Sequence, residues 1–344
     1  MKKIIITGGY GFIGSNLIKY FLKKNYFVIN LDKFSYSSHI YNLKDVAKHK
    51  NYRFVKTDIG NKKIVNNIFN KFKPSLIFNL AAETHVDRSI DSPEPFIKNN
   101  ILSLFNLLET IRKYNRNSKK KLKLIHISTD EVYGDILNKK TRADEKFPFK
   151  PSSPYAASKA SSDHLVKAYV RTYNFPAIIT NCSNNYGPNQ FPEKLIPKII
   201  FNILNNKQIP IYGKGLNSRE WIHVLDHCRA LDIISVKGKI GENYNIGSDK
   251  NLSNIKLAKL IIKLTNKKLK KFKSKSKIIY VKDRPDHDFR YALNSKKIKS
   301  KLKWKPLIGL SKGISQTIDW YLSNKKYFSS LNKKDHVRRL GLNI

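Results

Sequence analysis

Short apolar runs alternate with amphipathic stretches through the first half of the chain. Lys3–Ile6, Phe27–Leu31, Tyr52–Val55, Leu76–Leu80, Leu124–Ile127 and Ala177–Thr180 are rich in β-branched and aromatic residues, the pattern of strands buried on both faces. Between them, apolar positions recur at helical spacing. They include Leu17, Ile18, Phe21 and Leu22 near the start, Phe96, Leu104, Leu107, Leu108 and Ile111 within 95–114, and the segments Lys62–Phe72 and Pro154–Tyr173. This alternation predicts an α/β fold with a doubly wound parallel sheet and helices on both faces. After Asn181 the pattern loosens into turn residues and amides, as in Asn184–Lys194. The expected division is therefore a sheet-forming unit over 1–183 and a smaller C-terminal substrate-binding lobe over 184–344, with some segments of the latter returning to the first unit.

The chemistry sits where predicted strands end. Thr7-Gly8-Gly9-Tyr10-Gly11-Phe12-Ile13-Gly14 follows the first strand directly and precedes a helix. Glycines at 8, 11 and 14 permit a tight turn and close approach of a pyrophosphate to the helix N-terminus, the Rossmann-type dinucleotide fingerprint. Asp32 closes the second strand, where an acidic residue would bond the adenosine ribose and repel a 2′-phosphate, so NAD is preferred to NADP; the neighbouring Lys33 softens that preference. Asp58 and Ile59 follow the third strand, and Asp58 fits an adenine contact or a helix cap equally well. The fourth strand runs into Ala81–Ser89, and a lone His85 there reads as structural. The fifth ends in Ser128-Thr129-Asp130-Glu131-Val132-Tyr133-Gly134, and Tyr155-Ala-Ala-Ser-Lys159 opens the next helix behind Pro151 and Pro154. Tyr155 and Lys159 share one helix face, and an ammonium near a phenol favours the phenolate that can take a proton from an alcohol.

Composition narrows the setting. The 344 residues carry 67 Lys+Arg against 25 Asp+Glu, a formal charge of +42, enough to attract polyanions without a specific site. The lysines are scattered and no nucleic-acid motif accompanies them, so specific nucleic-acid binding is not expected. Cys182 and Cys228 make neither a metal spacing nor a disulfide framework, which suits a reducing cytoplasm. No run approaches a membrane span, and no metal is expected.

With these segments assembled, the sequence resembles the extended short-chain dehydrogenase/reductases, and within them the dTDP-glucose 4,6-dehydratases. The likeness runs through Thr7–Gly14, Ala81–Ile90, Ser128–Gly134, Pro151–Leu165, Asn181–Pro197, Tyr212–Asp226 and Asp283–Ala292. It implies oxidation of the glucose at C4 by NAD, with Tyr155 taking the hydroxyl proton, Lys159 beside it and Thr129 bonding the C4 oxygen. Glu131 then removes the C5 proton while Asp130 protonates the departing C6 hydroxyl, and hydride returns to C6. The carry-over assigns the cofactor to Gly8, Gly11, Phe12, Ile13, Gly14, Asp32, Lys33, Phe34, Ser35, Asp58, Ile59, Leu80, Ala81, Ala82, Glu83, Thr84, Asn99, Tyr155, Lys159 and Asn185. It assigns the sugar nucleotide to Thr84, Thr129, Asn184, Lys194, Leu195, Pro210, Ile211, Tyr212, Arg219, Asn254, Arg284 and His287. Thr84 and Ser35 replace the family's usual serine and threonine, and Asp286 stands where glycine is usual. A homodimer through the helices near Phe96–Tyr114 and Pro154–Tyr173 is implied. Competing readings are a UDP-glucose 4,6-dehydratase, a sugar-nucleotide 4-epimerase or decarboxylase, and a polyanion-binding protein. Adjacent Asp130 and Glu131 favour dehydration, although neighbours on an extended chain point to opposite faces and the loop must bend to present both.

Overall fold

A computed structural model of the chain describes residues 1–269, 274–285 and 287–331. In chain order the strands are β1 (Lys3–Thr7), β2 (Phe27–Asp32), β3 (Tyr52–Lys56), β4 (Leu76–Asn79), β5 (Lys123–Thr129), β6 (Ala177–Cys182), β7 (Asn184–Tyr186), β8 (Ile209–Tyr212), β9 (Ser218–His223), β10 (Asn243–Ile246), β11 (Asn251–Ser253) and β12 (Ile278–Val281). Seven of them form one parallel sheet in the order β10-β6-β5-β4-β1-β2-β3. The order reverses beside β1 and β4, and a ligand crevice opens beyond the strand C-termini at such a point.

Alternation within the strands decides the two cores. Ile4 and Ile6 of β1 face a cluster with Leu17, Phe21, Leu231 and Ile234. Ile5 faces the opposite cluster, with Phe69, Leu107, Leu108 and Val166. Each such side chain contributes roughly 1.5–3 kcal/mol when fully buried, so both faces must be covered. The helices Phe12–Lys23 and Val224–Lys237 cover one; Lys62–Phe72, Ser103–Arg116 and Pro154–Tyr173 cover the other. β10, the helix Val224–Lys237 and Trp304 thus join the sheet from the second half of the sequence. The rest of that half gathers a third core around Tyr186, Ile199, Trp221, Leu257, Ile261 and Ile318, built on β7, β9 and β11 and on the β8–β12 pair.

Two local departures from the expected elements bear on the site. The helix expected over 95–114 is not uniform: Ile97–Leu102 widens into a π-helical turn before the regular helix Ser103–Arg116. Such turns recur at functional sites because they redirect side chains. β4 also stops at Asn79. The next two amides, of Leu80 and Ala81, leave the ladder and donate to Thr7 Oγ1 at 3.0 Å each.

Candidate active site

One cleft runs across the C-terminal ends of the strands. Its walls include Gly8, Gly11, Phe12, Ile13, Gly14, Asp32, Lys33, Ser35, Asp58, Ile59, Leu80–Thr84, Asn99, Thr129–Glu131, Tyr155, Lys159, Asn184, Asn185 and Lys194. At its floor Gly8 has φ +65, and a Cβ there would lie 3.0 Å from the Ala81 backbone. A Cβ on Gly14 would run into the Gly8 carbonyl. Gly11 caps the helix Phe12–Lys23 without a side-chain hydrogen bond, so the first turn presents bare N–H groups to the cleft. This cradle fits a pyrophosphate and would not fit side chains.

Asp32 accepts from Tyr10 N at 2.9 Å, Phe34 N at 2.8 Å and Ser38 Oγ at 3.0 Å, and burial still pushes its carboxyl up. Lys33 turns away from Asp32's position on the wall, donating to Asp58 Oδ2 at 3.1 Å and Asn99 Oδ1 at 2.6 Å. Asp58 does not cap the following helix; Asn61 does, accepting from Ile64 N at 3.1 Å. Phe34 adopts a left-handed φ of 61, and its ring stacks on Tyr10 at 4.5 Å rather than lining the cleft. The π-turn explains how the 80–84 loop is held: Asn100 accepts from Glu83 N at 2.8 Å and donates to Glu83 O at 3.1 Å and Ser158 Oγ at 2.9 Å.

The bend required after β5 is present. Asp130–Tyr133 forms a 3-10 turn whose first amides fold back on Thr129: Glu131 N donates to Thr129 Oγ1 at 3.3 Å. Thr129 Oγ1 also lies 3.3 Å from Asp130 Oδ1 and hydrogen-bonds Tyr155. Both acids thus line the cleft together with Tyr155. Burial, then the Glu131 and Glu220 charges, drive the Asp130 carboxyl well above its usual range. Burial also raises Glu131, opposed by Arg284, Lys194 and Arg219. The phenol of Tyr155 is pushed up by burial and next by Glu131, and Lys159 donates to the Ile127 carbonyl at 2.8 Å while burial lowers its own pKa. The influences acting most strongly on the phenol thus oppose its ionisation.

The remaining predicted residues sit on the lobe side. Arg284 Nη1 is 2.7 Å from Asp87 Oδ1, and Tyr212 Oη donates to Asp87 Oδ2 at 3.0 Å. His287 pairs with Asp283 at 2.6 Å, and burial followed by Arg284 and Arg219 lowers it to about 4. Arg219 spends its guanidinium on the carbonyls of Ser218, Asp288 and Phe289 and lies over the Tyr291 ring at 4.1 Å. Lys194 donates to Thr84 O at 2.9 Å, and Leu195 begins the helix that follows. Pro210 and Ile211 share β8 with Tyr212, and Asn254 begins its helix. The side-chain oxygens of Asn184 and Asn254 are buried without a hydrogen-bond partner. The two asparagines are thus left with acceptors to spare. Of these lobe residues, Leu195, Pro210, Ile211, Tyr212, Arg219, Asn254, Arg284 and His287 stand outside the cleft's own walls. Asp286 lies outside the described residues.

The sequence matches the GDP-mannose 4,6 dehydratase family over residues 5–317. It is 44% identical over 352 residues to a dTDP-glucose 4,6-dehydratase of Neisseria meningitidis serogroup B, covering 99% of each chain. The chain belongs to the dTDP-glucose 4,6-dehydratase family. The fold agrees: the Bacillus anthracis dTDP-glucose 4,6-dehydratase, solved in complex with NAD, superposes with a TM-score of 0.87 at 41% identity, over 96% of this chain and 100% of that one. The Streptomyces venezuelae dTDP-glucose 4,6-dehydratase, solved with NAD and dTDP bound, gives 0.88 at 36% identity, over 96% and 100%.

Around a dTDP-glucose 4,6-dehydratase cleft, sequence reasoning missed Asn100 and Asp87, which brace residues beside it, and Glu193. Glu193 is a cleft residue that accepts from Tyr36 Oη at 3.1 Å and lies 3.6 Å from Arg88 Nε. These are polar residues whose partners lie far along the chain, and no local spacing marks them. Only the π-turn's run of polar Lys98, Asn99 and Asn100 within an otherwise amphipathic stretch gave a signal.

Proposed function

We propose that this protein converts dTDP-glucose to dTDP-4-keto-6-deoxyglucose, and that Thr129, Asp130, Glu131, Tyr155 and Lys159 carry the reaction. The carrying observation is the 3-10 turn that brings two adjacent carboxyls into the cleft beside the phenol. The glycine cradle, Asp32 and the 80–84 loop would hold NAD, which when bound would supply the acceptor for the C4 hydride and its return to C6. Thr129 orients the C4 hydroxyl, and Tyr155 takes its proton while Lys159 stabilises the phenolate. The C4 ketone acidifies the C5 proton. Glu131, whose carboxyl burial pushes up while Arg284, Lys194 and Arg219 oppose that rise, removes that proton. Asp130, whose carboxyl burial and then the Glu131 and Glu220 charges push up, gives its proton to the departing C6 hydroxyl. Two carboxyls with separated affinities are what an acid and a base in one site require. Arg284 and Lys194 suit the diphosphate.

No helix among the described residues is long and apolar enough to cross a membrane. Buried free thiols at Cys182 and Cys228 suit a reducing compartment, the cytoplasm. Ile97 at 50% exposure, Leu102 at 53% and Phe105 at 37% stand out from one helical segment and Tyr173 at 48% from another. Apolar surface of this kind fits a homodimer formed through those helices.

The test uses dTDP-glucose deuterated at C4, incubated with the protein and NAD. Deuterium at C6 of a 4-keto-6-deoxy product supports the dehydratase; deuterium retained at C4 of a galactose isomer refutes it in favour of epimerisation.

A further inference from the structure

Behind the catalytic helix face lies a belt of buried polar groups that the reaction above does not use. It starts at the cofactor loop, where Leu80 N and Ala81 N donate to Thr7 Oγ1, which donates to Asn79 Oδ1 at 2.8 Å. Asn79 Nδ2 lies 3.3 Å from His126 Nδ1, and His126 Nε2 lies 3.5 Å from Asp163 Oδ1. From the other side, Asn181 Nδ2 reaches both Asp163 Oδ2 at 3.0 Å and Thr129 O at 3.2 Å. Every arm ends on Asp163. Its residue is 0% exposed, and its Oδ1 has no hydrogen-bond partner in the structure.

A fold alone gives no reason for that choice. Burying a carboxylate is costly unless its charge is compensated, and an asparagine of the same shape would keep the bond from Asn181. Two lysines flank it on the same helix face, Lys167 one turn on and Lys159 one turn back, and each feels its charge; Lys159 is the buried one, at 4% exposure, and the one beside the phenol. The titratable groups around Lys159 and Tyr155 are those two and Asp163 on the helix, His126 on β5, Asp130 and Glu131 in the turn after it, and Cys182 on β6. Burial lowers His126 and pushes Cys182 up to about 12, so neither supplies a counter-charge at neutral pH. Asp163 is the foremost influence favouring the Lys159 ammonium against burial.

We propose that Asp163 is a positioning residue for the C4 oxidation: it supplies the counter-charge that keeps Lys159 an ammonium beside Tyr155 and, through Asn181, fixes the Thr129 end of β5. This rests on the reading of the cleft as a dehydratase site. Without Asp163 the lysine sheds its proton at lower pH, and the phenolate loses its cation.

The test isolates oxidation with dTDP-6-deoxyglucose, which has a C4 hydroxyl but no C6 leaving group. Reduction of bound NAD is followed by its ultraviolet absorbance across pH. Asp163→Asn is expected to keep or raise the melting temperature. Its oxidation should slow by about tenfold or more at alkaline pH and recover toward the parent rate as pH falls, the alkaline limb moving down by about one unit or more. Asp163→Glu, which retains the anion, should keep the parent limb even if its rate drops, and it carries the test should the asparagine variant not fold. An unmoved limb in Asp163→Asn, or an equal shift in Asp163→Glu, overturns the proposal. If the parent protein reduces no cofactor with this analogue and forms no 4-keto-6-deoxy product from dTDP-glucose, the dehydratase reading itself fails.

Discussion

Gly134→Ala tests whether the bend after β5 is what makes elimination possible. Gly134 ends the 3-10 turn at φ 70 and ψ −161, a region essentially closed to L-residues, at about 1–3 kcal/mol. A Cβ there would also penetrate the Lys150 carbonyl oxygen. That backbone cannot retreat freely, because Lys150 N donates to Val132 O at 3.0 Å inside the same turn. Losing this bond adds about 1 kcal/mol, for a total of about 2–4 kcal/mol. In a chain of this size the melting temperature should fall by roughly 3–6 °C. The functional effect should be uneven. Tyr155 and Lys159 stand on a helix capped independently by Ser153, whereas Asp130 and Glu131 are in the distorted turn. A displacement of about 1 Å costs on the order of 10²-fold in rate. Conversion of dTDP-glucose to product should therefore drop by about that factor, while oxidation of dTDP-6-deoxyglucose, read by cofactor absorbance, drops several-fold less. Parent-like melting and turnover would refute the strain argument. An equal loss in both assays would refute the separation of oxidation from elimination.

Other outcomes follow from the same geometry. Glu131→Gln should still oxidise C4 but lose about 10²–10⁴-fold in product formation; rapid-quench analysis should find 4-ketoglucose nucleotide and reduced cofactor accumulating together. Asp130→Asn should abolish efficient elimination yet stabilise the fold. Because the folded carboxyl is raised above 3.8, the folded state binds the extra proton, and parent stability falls as pH rises from that value through the folded pKa. The variant lacks this slope, so its thermal advantage should be largest near about pH 8 and shrink toward about pH 4. Replacing both Leu102 and Phe105 with aspartate should convert a dimer to monomer in sedimentation velocity, since two charges would be placed on the apolar face; an unchanged sedimentation coefficient would move the interface elsewhere.

The parallel sheet was readable because each of its first six strands carries a short, mostly apolar run rich in β-branched and aromatic residues, and the glycine cradle because its spacing is local. The helix Pro154–Tyr173 was marked by the prolines at its entrance; its capping Ser153 emerged only in the structure. What stayed hidden was non-local. Nothing near Asp58 showed that Lys33 and Gly60 would engage it while Asn61 took the cap. Burial of Phe34 against Tyr10 depends on a left-handed backbone that its residue type disfavours. The two-faced geometry feared for Asp130 and Glu131 disappears because Thr129's hydroxyl captures the following amide, a competition between side chain and ladder that local pattern does not resolve. The π-turn likewise reflects what Asn100 must reach, namely Glu83 and Ser158.

The seventh strand of the sheet carries a consequence for synthesis. β10 pairs with β6 from Asn243 opposite Ile179 to Ile246 opposite Cys182, so until the ribosome has passed that point the nascent sheet has a bare margin whose backbone N–H and C=O groups lack their ladder partners. A fragment stopped at residue 183 is left with that margin permanently, and an unpaired edge of this kind recruits other chains. Release of a competent nucleotide-binding half therefore waits on translation of the second half.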